Sequence, residues 1–138
     1  KPTTNSYDAD NRRELGWSNL GGRFSICIPA VTGVKGRMEL MAADPAVNPY
    51  LAYALLIRAG LEGIRMQKTL PRLEASCGKL PTTLRQAIAA ANRGDFGKAQ
   101  IPKEVLGAYL KDKQDLAGAY SKAKKKAEYD RQTYFNLL

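Results

Sequence analysis

Asp44-Pro45-Ala46-Val47-Asn48-Pro49-Tyr50-Leu51-Ala52 is the point at which the chain changes character. Upstream of it apolar residues alternate with polar ones, and downstream they recur at helical spacing. Asn48 reads as an N-cap and Pro49 as the first helical residue, where a missing N–H costs nothing because the first amides of a helix have no intrahelical acceptor. The helix that follows spans residues 50 to 66. Its first half, Tyr50 to Ile57, is apolar almost all round, which predicts burial between other elements. Gly60 and Gly63 each cost about 1 kcal/mol relative to alanine inside a helix, a cost that close packing would offset.

Before this segment, Phe24, Ile26 and Ile28 alternate with Arg23, Ser25 and Cys27, the period of a strand with one apolar face, and Pro29 ends it. After a turn region at Thr32-Gly33 the alternation resumes over residues 34 to 41. Val34, Met38 and Leu40 take one face and Lys35, Arg37, Glu39 and Met41 the other, with Gly36 interrupting. Two strands joined by so short a link predict an antiparallel pair. Residues 1 to 20 are rich in Asn, Asp, Arg and Gly without sustained periodicity and read as loop.

Beyond the first helix, residues 67 to 81 return to loop. Thr83 and Gln86 then form a capping-box pattern for a helix carrying Leu84, Ala87, Ile88 and Ala91 on one stripe, closed by Gly94. Pro102 opens the last and longest helical segment, with Val105, Leu106, Tyr109, Leu110, Leu116, Tyr120, Ala123 and Ala127 on its stripe and Gly118 as its weak point. The order gives an α+β class: two antiparallel strands followed by three to four helices, without internal repeats. An isolated hairpin is marginal in water, so the pair reads as the edge of a larger sheet whose other strands lie upstream of Lys1. Residues 1–45 are the loop and strand pair, residues 46–138 the helical part, and 138 residues allow one domain at most. The start at Lys1-Pro2, without an initiator methionine, reads as a processed or expressed piece.

Composition narrows the chemistry. With no histidine in the chain, the commonest general base and every Ser-His or Cys-His arrangement are excluded, so reactions must use carboxylates, arginines or lysines. The two cysteines, Cys27 and Cys77, form neither a disulfide framework nor a metal-ligand spacing, and a reducing cytoplasm is the expected location. Cys27, on a strand face, reads as a packing residue. No apolar run approaches the roughly 18 to 20 residues of a membrane span, and no membrane association is expected. The net charge of +9 invites a nucleic-acid reading. Its one cluster, Lys122, Lys124, Lys125 and Lys126, is interleaved with Asp115, Glu128 and Asp130 and fits a solvated helix face better, so nucleic acid is not the expected partner.

Four blocks taken in order carry a resemblance. Lys1-Pro-Thr-Thr-Asn-Ser-Tyr7, the strand ending Ile-Cys-Ile-Pro29, Lys35-Gly-Arg-Met-Glu39, and Asp44 to Ala52 followed by Ala-Gly-Leu-Glu-Gly-Ile64 resemble consecutive blocks of the glutamine synthetase catalytic domain. The match is specific over about the first 65 residues, whereas the helices after Leu80 resemble the family's closing helices only in kind. On this resemblance the chain is the C-terminal portion, and an incomplete piece, of such a domain. It implies an ATP-dependent ligase that phosphorylates the γ-carboxylate of a glutamate-like acid and lets ammonia or an amine displace the phosphate, using Mg²⁺ or Mn²⁺. Its partners would be the rest of the catalytic domain and a homo-oligomeric ring. Phosphoryl transfer rests on positioning and charge neutralisation, which carboxylates with metals and arginines with phosphate oxygens supply.

Carried over by position, Glu39 matches the family's metal-ligating glutamate on this strand and Arg37 an arginine near the nucleotide phosphates. Lys35 is a further nucleotide contact if a one-residue gap is allowed. An Arg-x-Glu pair on a strand also reads, without the flanking blocks, as an ordinary surface ion pair. The departures concern charge. The family has arginines where this chain has Cys27 and Met41, and Asn5-Ser6-Tyr7 is followed by Asp8-Ala9 instead of Lys-Arg. Arg12, Arg13 or Arg23 would have to restore charge from shifted positions, and Glu14 would stand in for a loop glutamate near the ammonium site. The bacterial family's modifiable tyrosine has no match between Met66 and Leu80, so adenylylation there is not expected. By this reading the chain alone binds nucleotide weakly or not at all. The rival readings are a family scaffold without catalysis and a basic helical module that binds nucleic acid.

Overall fold

The computed structural model describes residues 14–31, 36–44 and 47–135. In chain order these form strands β1 (Glu14–Ser18), β2 (Phe24–Cys27) and β3 (Glu39–Leu40), then helices α1 (Pro49–Arg65), α2 (Leu84–Arg93), α3 (Asp95–Gln100), α4 (Lys103–Lys122) and α5 (Lys126–Tyr134). The α+β class and the antiparallel β2–β3 pair agree with the sequence reading. The sheet has the order β1-β2-β3.

β1 corrects the reading of residues 1 to 20 as loop. It runs parallel to β2, with Trp17 opposite Ile26, Ser18 opposite Cys27, and a register shift between Glu14 and Trp17. Adjacent parallel strands usually need a crossover of a dozen or more residues. Here the return from Ser18 to Phe24 has only five residues between them, and it has to recover about 13 Å along the strand and about 5 Å across it. Six fully extended steps reach about 20 Å, so the link fits if it reverses sharply. Gly21 and Gly22 provide the reversal at φ of 81° and 79°, a region that side chains disfavour. The Ser18 hydroxyl closes it by donating to the Gly21 carbonyl at 2.6 Å.

The free edge of β1 is covered by the segment 74–79. Leu15 N–H donates to Gly78 O at 2.8 Å, Cys77 N–H to Leu15 O at 2.7 Å and Glu74 N–H to Trp17 O at 3.0 Å. The indole N–H of Trp17 donates to Pro71 O at 2.9 Å. This backbone pairing satisfies donors and acceptors that would otherwise template another strand.

β3 is shorter than the expected strand over 34 to 41. Gly36, Arg37 and Met38 lie outside it, and the Thr32-Gly33 turn and Val34 lie outside the described residues. Ile26 opposes Leu40, Cys27 opposes Glu39, and Met41 N–H continues the ladder to Ser25 O at 2.8 Å.

The helix starts follow their chemistry. The Asn48 side chain accepts from Leu51 N–H at 3.1 Å with Pro49 at the first position. Thr83 caps α2 through Gln86 N–H at 3.2 Å. The expected box closes one residue earlier than its pattern, because Gln86 Oε1 accepts from the N–H and hydroxyl of Thr82 at 2.9 and 2.8 Å. The last helical segment divides, and it does so at residues 123–125 instead of at Gly118. There Lys126 reaches back to the carbonyls of Tyr120 and Ser121, the latter at 3.0 Å, at the end of the helix where backbone donors run out. Tyr120 and Tyr129 meet edge to face across the break, 5.8 Å between centroids.

α1 departs furthest from expectation. None of its residues is buried. Arg58 donates to Gln100 at the end of α3 at 3.0 Å, and the apolar side chains of Tyr50, Tyr53, Ile57, Leu61 and Ile64 remain exposed. Among the described residues the buried apolar ones are Phe24 and Cys27 in the sheet and Ile88, Ile101 and Ala117 among α2 to α4. A helix apolar all round needs cover on several sides, and the described elements cover α1 on one.

Candidate functional site

Side chains of directly opposed residues on neighbouring strands share a face. Ser18, Cys27 and Glu39 therefore form one row across the sheet. Ser18 is fully buried and Cys27 is 6 % exposed, while the Glu39 side chain is 37 % exposed at the open end of the row. Arg37 precedes the strand and turns back on it, so that its Nε donates to Glu39 Oε1 at 2.6 Å. The face sharing expected of strand residues two apart is thus replaced by direct contact, a charge-assisted bond at an exposed site.

Glu14 and Arg23 meet at the other end of the sheet. The Glu14 N–H donates to Arg23 O at 3.1 Å. The Arg23 guanidinium carbon lies 5.2 Å from the ring centroid of Phe24, and the Glu14 carboxylate accepts from the Ser76 hydroxyl. Four residues separate each of them from the Ser18–Cys27–Glu39 row, about 13 Å of strand. The chain therefore brings its site candidates together as two separate pairs, Arg37 with Glu39 and Glu14 with Arg23. Lys35 lies outside the described residues, as do Ala9, Arg12 and Arg13. Ser76 was invisible to sequence reasoning because nothing local marks it: its contact with Glu14 spans 62 residues.

Whether these residues suit a divalent cation can be judged from their donors. A carboxylate is the right kind of ligand for Mg²⁺, but that ion takes about six oxygens. Among the described residues no group of three or more Cys, Asp or Glu side chains could hold a metal, and one oxygen of Glu39 already faces Arg37. Glu39 suits a metal as one ligand and does not complete a site.

The basic cluster is partly engaged. Lys126 is drawn to the end of α4 and lies 4.8 Å from the Tyr120 ring, and Lys125 pairs with Glu128 at 3.4 Å. Lys122 and Lys124 are exposed. No helix among the described residues is long and apolar enough to cross a membrane.

The sequence profile described as "Glutamine synthetase, catalytic domain" matches residues 1–132. The chain belongs to the glutamine synthetase family. Similar proteins include the glutamine synthetase of Methanosarcina mazei, 36% identical over 110 residues, covering 70% of this chain and 25% of that protein. That of Thermus thermophilus is 33% identical over 129 residues, covering 83% and 28%. That of Rhizobium leguminosarum bv. phaseoli is 33% identical over 141 residues, covering 86% and 32%. The chain thus spans between a quarter and a third of the length of these glutamine synthetases. Family membership extends beyond the first 65 residues, where the sequence motifs are specific, into the closing helices.

Proposed function

We propose that this chain forms part of an ATP-dependent ligase of glutamine synthetase type, which activates the side-chain carboxylate of a glutamate-like acid with ATP and transfers it to ammonia or an amine. The supporting observation is the placement of Glu39 and Arg37 together at an exposed strand end within the family match. In this reading Glu39 supplies one oxygen ligand to Mg²⁺ or Mn²⁺, and Arg37, beside it, neutralises phosphate oxygens when the nucleotide is bound. Lys35 makes a further nucleotide contact. Glu14 and Arg23 contribute at the acid and ammonium end. The remaining metal ligands come from the rest of the catalytic domain and from a neighbouring subunit of a ring. The compartment is a reducing cytoplasm.

A second reading has an observation in its favour. Cys27 is opposite Glu39, and Met41 bonds to Ser25 one step along the ladder. A thiol and a thioether thus occupy neighbouring positions where the family resemblance implies guanidinium groups that grip an acidic substrate, and neither can carry that charge. This favours either a different acid and amine or a scaffold without catalysis.

The test is phosphate release by the full-length protein with ATP and Mg²⁺, first with glutamate and ammonia, then with other acids and amines, each beside the Glu39→Gln variant. Release that falls at least about a hundredfold in Glu39→Gln supports the ligase, because loss of a charged metal ligand costs transition-state stabilisation of several kcal/mol. Absence of turnover with every pair, together with nucleotide binding indifferent to Mg²⁺, leaves the scaffold.

A further inference from the structure

α2 and α4 pack against each other through Ile88 and Ala117, each 8 % exposed, and beside that contact the two helices leave a groove of about 210 Å³ lined by Arg85, Ile88, Gln114, Ala117 and Gly118. Its origin is in the sequence. Arg85 and Ile88 are three apart on α2, and Gln114, Ala117 and Gly118 follow the same i, i+3, i+4 spacing on α4, so each set presents one face. Ala117 and Gly118 are too short to fill the space between the helices. A methyl group placed on Gly118 would meet nothing within 4 Å, a second indication that the space is open.

The groove combines three features that a ligand can use. Its floor is apolar. At its rim stands the guanidinium of Arg85, which makes no ion pair or hydrogen bond among the described residues, although an arginine fork is suited to a carboxylate. Gln114, one helical turn from Ala117, adds an amide able to donate to the same oxygens. The volume is below the roughly 300 to 1,000 Å³ of pockets that take drug-sized molecules, so the occupant is small.

We infer that this groove binds a short branched-chain monocarboxylate, with the hydrocarbon on Ile88, Ala117 and Gly118 and the carboxylate on Arg85 and Gln114. An inorganic anion would leave the apolar floor uncovered, and an uncharged hydrocarbon would leave Arg85 without a counter-charge. The site lies on the helices, uses neither Arg37 nor Glu39, and is independent of the ligase reading.

The test uses this chain and 3-methylbutanoate as probe, followed by the methyl resonances of Ile88 and Ala117. Saturable shifts with a Kd on the order of millimolar are expected for so few atoms. 3-Methylbutan-1-ol, which keeps the hydrocarbon and lacks the charge, should bind about tenfold more weakly, and Arg85→Gln should weaken the carboxylate by a similar factor. Gly118→Leu should abolish the shifts, since leucine fills the groove and is a better helix former than the glycine it replaces. Arg85 is exposed, so its variant reports on binding without threatening the fold. The inference is overturned if the methyl shifts do not saturate, if the alcohol binds as well as the acid, or if Arg85→Gln binds unchanged.

Discussion

Gly16 has no room for a side chain. A Cβ there would lie 2.5 Å from the Ala75 carbonyl oxygen and 2.9 Å from the Phe24 ring, and Phe24 is 3 % exposed. Backbone on one side and a core ring on the other leave nothing flexible to move, so Gly16→Ala should lower stability by about 1 to 3 kcal/mol in urea titrations. An unchanged midpoint would mean that the 74–79 segment is not anchored to β1 as described. Tyr134 carries a different residue-level signature. Burial first, then the charges of Tyr129, Asp130, Asp44 and Asp112, push its phenol from 10.0 up to about 12. The folded state therefore holds this proton more tightly than the unfolded chain. The associated stability is intact below pH 10 and is lost as pH rises from there through about 12. Tyr134→Phe should flatten that alkaline loss in urea midpoints recorded across the window. Of the site candidates, the Arg37–Glu39 pair was legible because residues two apart in the chain lie within reach of each other even where, as here, Arg37 precedes the strand. The Glu14–Ser76 contact was not, because no local pattern encodes a pairing between β1 and a loop that follows α1.

Among the elements, helix ends read well from sequence and strands poorly, for a physical reason. A cap is satisfied by residues within one turn, so Asn48, Pro49 and Thr83 announce their helices. β1 does contain an alternation, Leu15 and Trp17 against Glu14, Gly16 and Ser18, but five residues flanked by Asn and Gly cannot declare a partner, and its parallel neighbour and its cover both come from elsewhere. The end of α1 was equally hidden. Lys68 N–H reaches Gly63 O and Gln67 N–H reaches Ile64 O, both at 3.0 Å, the bonding of a Schellman motif, with Gln67 in the left-handed position at φ 50°. Glycine usually occupies that position because a Cβ there costs roughly 1 to 2 kcal/mol. Gln67→Gly should accordingly raise stability by about 0.5 to 1 kcal/mol, the residual after the added backbone freedom of the unfolded chain is subtracted. A loss of stability measured by thermal or urea unfolding would show that the Gln67 side chain contributes something the backbone geometry does not reveal.

For the molecule as a whole, exposure is the property that sequence could not anticipate. Among the described residues α1 carries it furthest: Tyr50 is 85 % and Ile64 77 % exposed on a helix whose composition called for burial. The apolar pattern of α1 calls for cover that the described elements do not supply, and the chain spans 25% to 32% of the length of the similar glutamine synthetases. Replacing Tyr53, Ile57 and Leu61 together by glutamate separates the two contexts. In this chain the three side chains contact mostly water, so stability should change by less than about 0.5 kcal/mol per site, while binding of a hydrophobic dye such as ANS, expected to be strong for the unsubstituted chain, should largely disappear. In the full-length protein the same charges would have to enter its interior, and the triple variant should fail to fold or assemble, seen as loss of soluble oligomer in sedimentation. A full-length variant that assembles normally would place α1 on the outside of the complete molecule, and its apolar surface would then require a partner other than the catalytic domain itself.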